Sequence, residues 1–244
     1  MSNHHPLVSV VIPFYNCQYV AQAIESVLRQ TYPHVELIVV NDGSNKYQDL
    51  ISPYLSKITY IEQVNKGVAA ALNQGIKKAK GEYLVWLSSD DIMDDHKIEL
   101  QLNFMNSVNS FLSFTNFNII NENNQITSYN VGINFQKELE ILQALYEFCP
   151  INGCTVMMSR KVIETIGYFN EQLKYAQDYE YWLRVALHFT IHYFHITLTN
   201  YRVHQLMGSI LNNHDQMTEF YSIREKYRGK ISELISTKGN ESHV

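Results

Sequence analysis

Residues Tyr83–Ile98 read YLVWLSSDDIMDDHKI. An apolar run, YLVWL, gives way to serines and then to four aspartates between positions 90 and 95. A continuously apolar run reads as a strand buried on both faces, the pattern of a parallel sheet covered by helices. In an open parallel sheet, ligands bind outside the carboxyl ends of the strands. The polar end of this strand is therefore where chemistry is expected. Asp90 and Asp91 are adjacent carboxylates that repel one another, and such a pair suits a hard divalent cation that arrives with phosphate oxygens. The plainer reading is a solvated strand end followed by a turn. Asp94 and Asp95 stand just ahead of HKIELQLNFM. They are expected at the cap and first turn of a helix, where its dipole favours carboxylates.

Upstream, strand and helix alternate. LVSVVIPF (7–14) is nearly all apolar, and VAQAIESVLRQ (20–30) sets Val20, Ala23, Ile24, Val27 and Leu28 on one helical face. ELIVV (36–40) runs into NDGS, a short helix is expected near 47–56, and ITYIE (58–62) is a third strand. VAAALNQGIKKAK is an alanine-rich helix that leads into the strand quoted above. Such alternation predicts right-handed parallel crossovers in a doubly wound sheet. Three polar clusters then fall at strand ends: Tyr15-Asn16, Asn41-Asp42-Gly43-Ser44 and Ser89-Asp90-Asp91. NDGS alone is ordinary turn chemistry; three clusters along one edge point to a site.

The second half is less regular. SFLSFTNFNII and NENNQITSY read as strand, turn and strand, 135–148 as a helix and CTVMMS as a short strand. DYEYWLRVAL reads as a helix with Tyr181, Trp182, Leu183 and Val185 inward, and HYFHITLTNYRV as one or two closing strands. Residues 216–236 form a polar, amphipathic tail.

Composition narrows the classes. Hydrophobic residues at 45% and charged ones at 18% describe an ordered globular chain of 244 residues. A net charge of -5 argues against a nucleic-acid partner gripped by a basic surface. Cys17, Cys149 and Cys154 make no CxxC pair, which suits free thiols in a reducing compartment. The first apolar run is too short to span a membrane and has no Lys or Arg ahead of it, so it reads as a strand, not a signal peptide. The expected location is cytoplasmic, with no transmembrane segment and with peripheral contact at the inner face of the membrane left open. No GxGxxG follows the first strand, and GxxxxGK[ST] is absent. Phosphates, if bound, then fall to a cation.

SVVIPFYN, VVNDGS, NKGVAAALNQGI, GEYLVWLSSDDI and AQDYEYWLRV, in this order and spacing, resemble the family 2 glycosyltransferases. The resemblance spans about residues 7–209 and implies a GT-A fold: a Rossmann-like, mostly parallel sheet flanked by helices. It implies a nucleotide-sugar-binding part over about 7–107, an acceptor-side part over about 108–209, and a helical C-terminal appendage over 210–244. It also implies an inverting transferase that moves a sugar from a nucleoside diphosphate donor, most often UDP, to an acceptor hydroxyl in glycan or cell-surface polysaccharide synthesis. Pro13 and Tyr15 would line the nucleoside pocket, Asp42 would accept the base's ring N–H, and Asp90 would hold the ribose. Asp91 would ligate Mn²⁺ or Mg²⁺, with Arg202 and His204 of YRVH near the diphosphate or metal. Asp178 would be the catalytic base; as the start of a helix, its plainer role is an N-cap.

Two departures from the family pattern matter. Ser88 stands where many members carry an acidic residue, so metal ligation leans more heavily on Asp91. Leu72 precedes Asn73 where many have arginine, leaving Lys66 as the candidate basic contact. Two competing readings differ in class. A nucleotidyltransferase of nucleotide-sugar metabolism would want a glycine-rich, basic loop where PFYNCQYV stands. A non-catalytic nucleotide-sugar-binding protein would have no need of Asp178.

Overall fold

The computed structural model describes residues 5–205, 207 and 213–241. The first four strands follow the sequence closely: β1 (Val8–Phe14), β2 (Val35–Asp42), β3 (Thr59–Gln63) and β4 (Tyr83–Trp86). They pair in parallel in the order β3-β2-β1-β4. Between them lie α1 (Val20–Leu28), a 3-10 helix over Gln48–Tyr54 and α2 (Val68–Lys78). β1 is apolar apart from Ser9 because it is covered twice. Val8, Val10, Ile12 and Phe14 pack with α1 on one side, while Val11 packs with α2 on the other. Burial of each such side chain contributes about 1.5–3 kcal/mol.

The second half is where the expected mostly parallel sheet becomes mixed. It contains β5 (Ile92–Met93), α3 (Lys97–Ser107), β6 (Leu112–Ile120), β7 (Ile126–Val131), α4 (Glu138–Glu147) and a 3-10 helix over Gly153–Thr155. β8 (Met157–Ser159), α5 (Arg160–Ile166), α6 (Gln177–Ala186), β9 (Ile191–Arg202) and α7 (Asn213–Glu241) complete it. The described residues form one nine-stranded sheet, ordered β3-β2-β1-β4-β8-β6-β9-β5, with β7 on β6. β8 joins the two halves, antiparallel to both β4 and β6. β6 and β9 pair in parallel, and β5 runs antiparallel to β9. The closing segment is a single strand, β9, which returns to the end of β4 and carries Arg202 to the Asp90-Asp91 turn.

Asp94 and Asp95 do not cap α3, whose N-cap is His96. Asp94 Oδ1 accepts the His96 N–H at 2.9 Å, making a turn of its own, and Asp95 Oδ1 accepts from Arg29 Nε at 3.3 Å. The Lys97 N–H donates to the Asp94 carbonyl at 3.0 Å, so the pair forms a turn ahead of the helix. The expected C-terminal helix is α7, and it packs on the rest of the fold: Ile223, Tyr227 and Ile231, spaced four apart, are buried in the core that also holds α4 and α6. The expected 209/210 boundary lies outside the described residues.

Candidate active site

The loops after β1 and β2 are tied into one wall. Asn16 donates its N–H to Ser44 Oγ at 3.0 Å, and its Oδ1 accepts the N–H groups of Asn45 and Lys46, both at 2.9 Å. Asn41 Oδ1 accepts the Ser44 N–H at 2.8 Å. Gly43 lies at φ +74°, and a Cβ there would stand 2.7 Å from the Asn65 nitrogen, so the turn requires glycine. Asp42, only 4% exposed, binds the next loop: Oδ1 accepts from Gln63 Nε2 (2.7 Å) and the Lys66 N–H (2.8 Å), and Oδ2 from the Gly67 N–H (2.8 Å). A carboxylate has about four acceptor sites, so one on Oδ2 stays open toward the cleft. That cleft, about 900 Å³, is lined by Tyr15, Tyr19, Asp42, Lys66, Asp90 and His204 among others. Pro13 lines a smaller recess with Tyr15, Asp42 and Asp90.

The turn after β4 separates the two adjacent aspartates. The Asp91 N–H donates to the Ser88 carbonyl at 3.2 Å, and this turn swings Asp91 inward. Asp91 is 0% exposed, and its Oδ1 accepts the Arg202 N–H at 2.8 Å. Burial, and then the neighbouring Asp90 charge, push its carboxyl well above the usual range. Such a group is not aimed at the cleft, and the expected metal ligation by Asp91 does not fit its geometry. Asp90 is the carboxylate that faces the cleft, with its Oδ2 3.0 Å from His204 Nε2.

Arg202 is likewise committed inside the protein. It is 0% exposed and donates Nε to the Asp90 carbonyl (2.7 Å), Nη1 to the Asn121 carbonyl (3.0 Å) and Nη2 to Gln22 Oε1 (2.8 Å). Its guanidinium stacks 4.2 Å from the centre of the Tyr19 ring. The expected diphosphate contact by Arg202 is therefore corrected: its donors hold the Asp90-Asp91 turn. His204, tilted against Tyr19 with ring centres 5.4 Å apart, is left facing the cleft.

Asp178 lies in the first turn of α6, one residue inside the helix, whose N-cap is Ala176. Its Oδ1 accepts the Tyr179 N–H at 2.7 Å, and burial pushes its carboxyl up to about 6. It lines a cavity of about 350 Å³ with Trp86, Phe117, Asn152, Cys154, Tyr201 and Gln216. Ser88, Tyr201 and Gln216 also line an intervening cavity, which shares Asp90, Lys174, Tyr175 and Met207 with the main cleft. Asp42, Asp90–His204 and Asp178 thus lie along one connected groove.

The family model for glycosyl transferase family 2 matches residues 9–167. The chain belongs to glycosyl transferase family 2. Among its relatives is the uncharacterized glycosyltransferase RT0329 of Rickettsia typhi, 34% identical over 251 residues, covering 98% of this chain and 77% of that one. Among solved structures, S. aureus TarS 1–349 in complex with UDP-GlcNAc superposes with a TM-score of 0.70 at 19% identity, over 89% of this chain and 65% of TarS 1–349. The mannosyltransferase PcManGT of Pyrobaculum calidifontis, in complex with GDP-Man and Mn²⁺, gives 0.67 at 15% identity, over 91% and 64%. These likenesses establish the GT-A-like architecture.

This glycosyltransferase also carries site residues that the sequence reading missed. Tyr19 supports both Arg202 and His204, yet in the sequence it is only an aromatic ahead of a helix. Lys97, 0% exposed, donates to Gln101 Oε1 (2.6 Å) and to the Thr155 carbonyl (3.0 Å) behind the Asn152–Cys154 wall, and burial lowers it to about 7. Glu219 on α7 accepts three backbone N–H groups ahead of α6. Neither Lys97 nor Glu219 has a decisive sequence signal: Gln101 is one turn from Lys97, but the Thr155 carbonyl and all three Glu219 partners are remote. All three cysteines are free. No described helix is long and apolar enough to cross a membrane.

Proposed function

We propose that this glycosyltransferase inverts the anomeric centre of a UDP-sugar as it moves the sugar to a glycan hydroxyl. The observation that carries this reading is the single groove joining Asp42, Asp90–His204 and Asp178. Asp42 offers one free carboxylate lone pair to a ring N–H, which suits uracil, and Tyr15, 54% exposed, is available to cover the base. Pro13 shapes the floor of the same recess. Lys66, which lines the groove as Lys174 does, supplies a cationic side chain near the diphosphate.

The donor set fits a hard cation. Asp90 Oδ2 and His204 Nε2, 3.0 Å apart at the groove, are one carboxylate and one imidazole, with room for phosphate oxygens and water to complete a shell. Mn²⁺ or Mg²⁺ bound there would offset the charge of a departing nucleoside diphosphate. Asp178 takes the proton from the acceptor hydroxyl as its oxygen bonds to the anomeric carbon and the carbon–oxygen bond to the diphosphate breaks. A half-buried carboxyl near 6 is a suitable general base, ionised at neutral pH yet basic enough to accept a proton.

The test is a melting screen against a panel of nucleoside diphosphate sugars, with and without Mn²⁺. One or two donors are expected to stabilise the protein, by about 2.7 kcal/mol at a hundred times Kd. A panel in which no donor moves the melt in either condition overturns the reading.

A further inference from the structure

The base helix α6 does not hold its own N-terminus. The three consecutive N–H groups of Lys174, Tyr175 and Ala176 converge on the carboxylate of Glu219, forty-one residues beyond Asp178. Lys174 donates to Oε2 at 3.0 Å, and Tyr175 and Ala176 donate to Oε1 at 2.8 and 2.7 Å. Successive backbone N–H groups curled in this way form an anion-binding nest, and the α6 dipole adds to its positive end. Two further contacts fasten the same helices beyond Asp178. The Phe220 and Tyr179 rings stack with centres 4.6 Å apart, and the Tyr227 hydroxyl donates to Glu180 Oε1 at 2.7 Å. Asp178 is therefore bracketed, with α7 gripping the backbone before it and the two side chains after it.

The gripped backbone is also a wall of the groove, since Lys174 and Tyr175 line the donor cleft. The other end of that loop is held by Asn73, whose Nδ2 donates to the Phe169 carbonyl at 2.9 Å while its Oδ1 accepts the Phe169 N–H at 3.0 Å. A loop pinned at both ends connects the donor side to the base.

We infer that Glu219 is a positioning residue: its carboxylate locks the 174–176 backbone and so sets where Asp178 stands and how closed its surroundings are. The inference rests on the reading of Asp178 as the base. Among the described residues, the charged and titratable groups around Asp178 are Glu219 from α7, Cys149 and Cys154 from the segments after α4, and Tyr201 from β9. Of these, Glu219 is a like charge that raises the Asp178 carboxyl further after burial has done so. Loss of the Glu219 charge and entry of water through a loosened loop both favour ionised Asp178, so the two effects have one sign.

The experiment follows the Asp178 carboxyl through a pH titration by carbon-13 NMR, with Asp178→Asn assigning the signal, and needs no substrate. Glu219→Gln is expected to move the midpoint downward, and Glu219→Asp, with the charge drawn back by one methylene, to move it less in the same direction. An unmoved midpoint in whichever of the two variants folds overturns the inference. A parallel melt with UDP and MnCl₂ keeps the failures apart: no UDP response in the unsubstituted protein counts against the donor site alone, and an unmoved midpoint counts against Glu219 alone.

Discussion

His204 Nε2 lies 3.0 Å from Asp90 Oδ2, joining the end of β9 to the turn after β4. The two residues are 114 positions apart, and the mixed sheet brings them together by pairing β5 with β9 beside that turn. Asp91, adjacent in sequence, is turned away. The proposed cation site should therefore depend on Asp90 and His204. Asp90→Asn and His204→Ala are expected to abolish the Mn²⁺-dependent part of UDP binding, measured by calorimetric titration with and without the metal. Asp91→Ala should keep that metal dependence and instead lose about 1–3 kcal/mol of stability, because it strands the buried Arg202 N–H. The opposite pattern would return the metal role to Asp91.

Arg202 gives a second contrast. Its guanidinium is spent on two carbonyls, one amide and the face of Tyr19. Lysine cannot reproduce that planar fork. Arg202→Lys is expected to cost about 3 kcal/mol or more in urea unfolding without ligand, since each bond from a charged donor carries about 1.5–3 kcal/mol. A diphosphate contact would behave otherwise, leaving the free protein's unfolding curve in place and weakening only UDP.

Gly43 tests the nucleoside wall. Gly43→Ala would place a methyl group 2.7 Å from the Asn65 nitrogen at φ +74°. The strain costs about 1–3 kcal/mol. Because Asn65 lines the cleft, UDP affinity should fall along with the melting temperature. A variant with wild-type melting and affinity would show that the turn tolerates a side chain.

Sequence legibility divides at β4. β1, β2 and β4 could be read because burial on both faces leaves them almost continuously apolar, and their polar ends mark the groove. β8 could not be assigned its place, since three residues carry no period and its partners β4 and β6 are distant. The choice between Asp90 and Asp91 was hidden for the same reason. It is made by an N–H 111 residues away, from Arg202, and not by any neighbour in sequence. Glu219 was hidden more deeply, as one acid among many on a polar helix whose partners are backbone N–H groups.

Asp178 binds function to stability in a way that pH can separate. An aspartate titrates near about 3.9 in an unfolded chain, whereas burial raises Asp178 to about 6 in the fold. With the folded value raised, its stabilising contribution is complete below the unfolded value and is lost as pH rises through about 6. Above that, the protein carries a half-buried anion at a cost of roughly 2–3 kcal/mol. Transfer has the opposite dependence, since the base must be ionised, so activity should rise through about pH 6 and level off above it. Asp178→Asn removes both effects. It is expected to abolish transfer at every pH and to leave donor binding intact. Relative to the unsubstituted protein it should gain roughly 2–3 kcal/mol at about pH 8 and almost nothing at about pH 4. Unfolding curves at the two pH values measure the gain. An equal effect at both would mean that Asp178 is not the group held near 6, and retained transfer would remove it as the base.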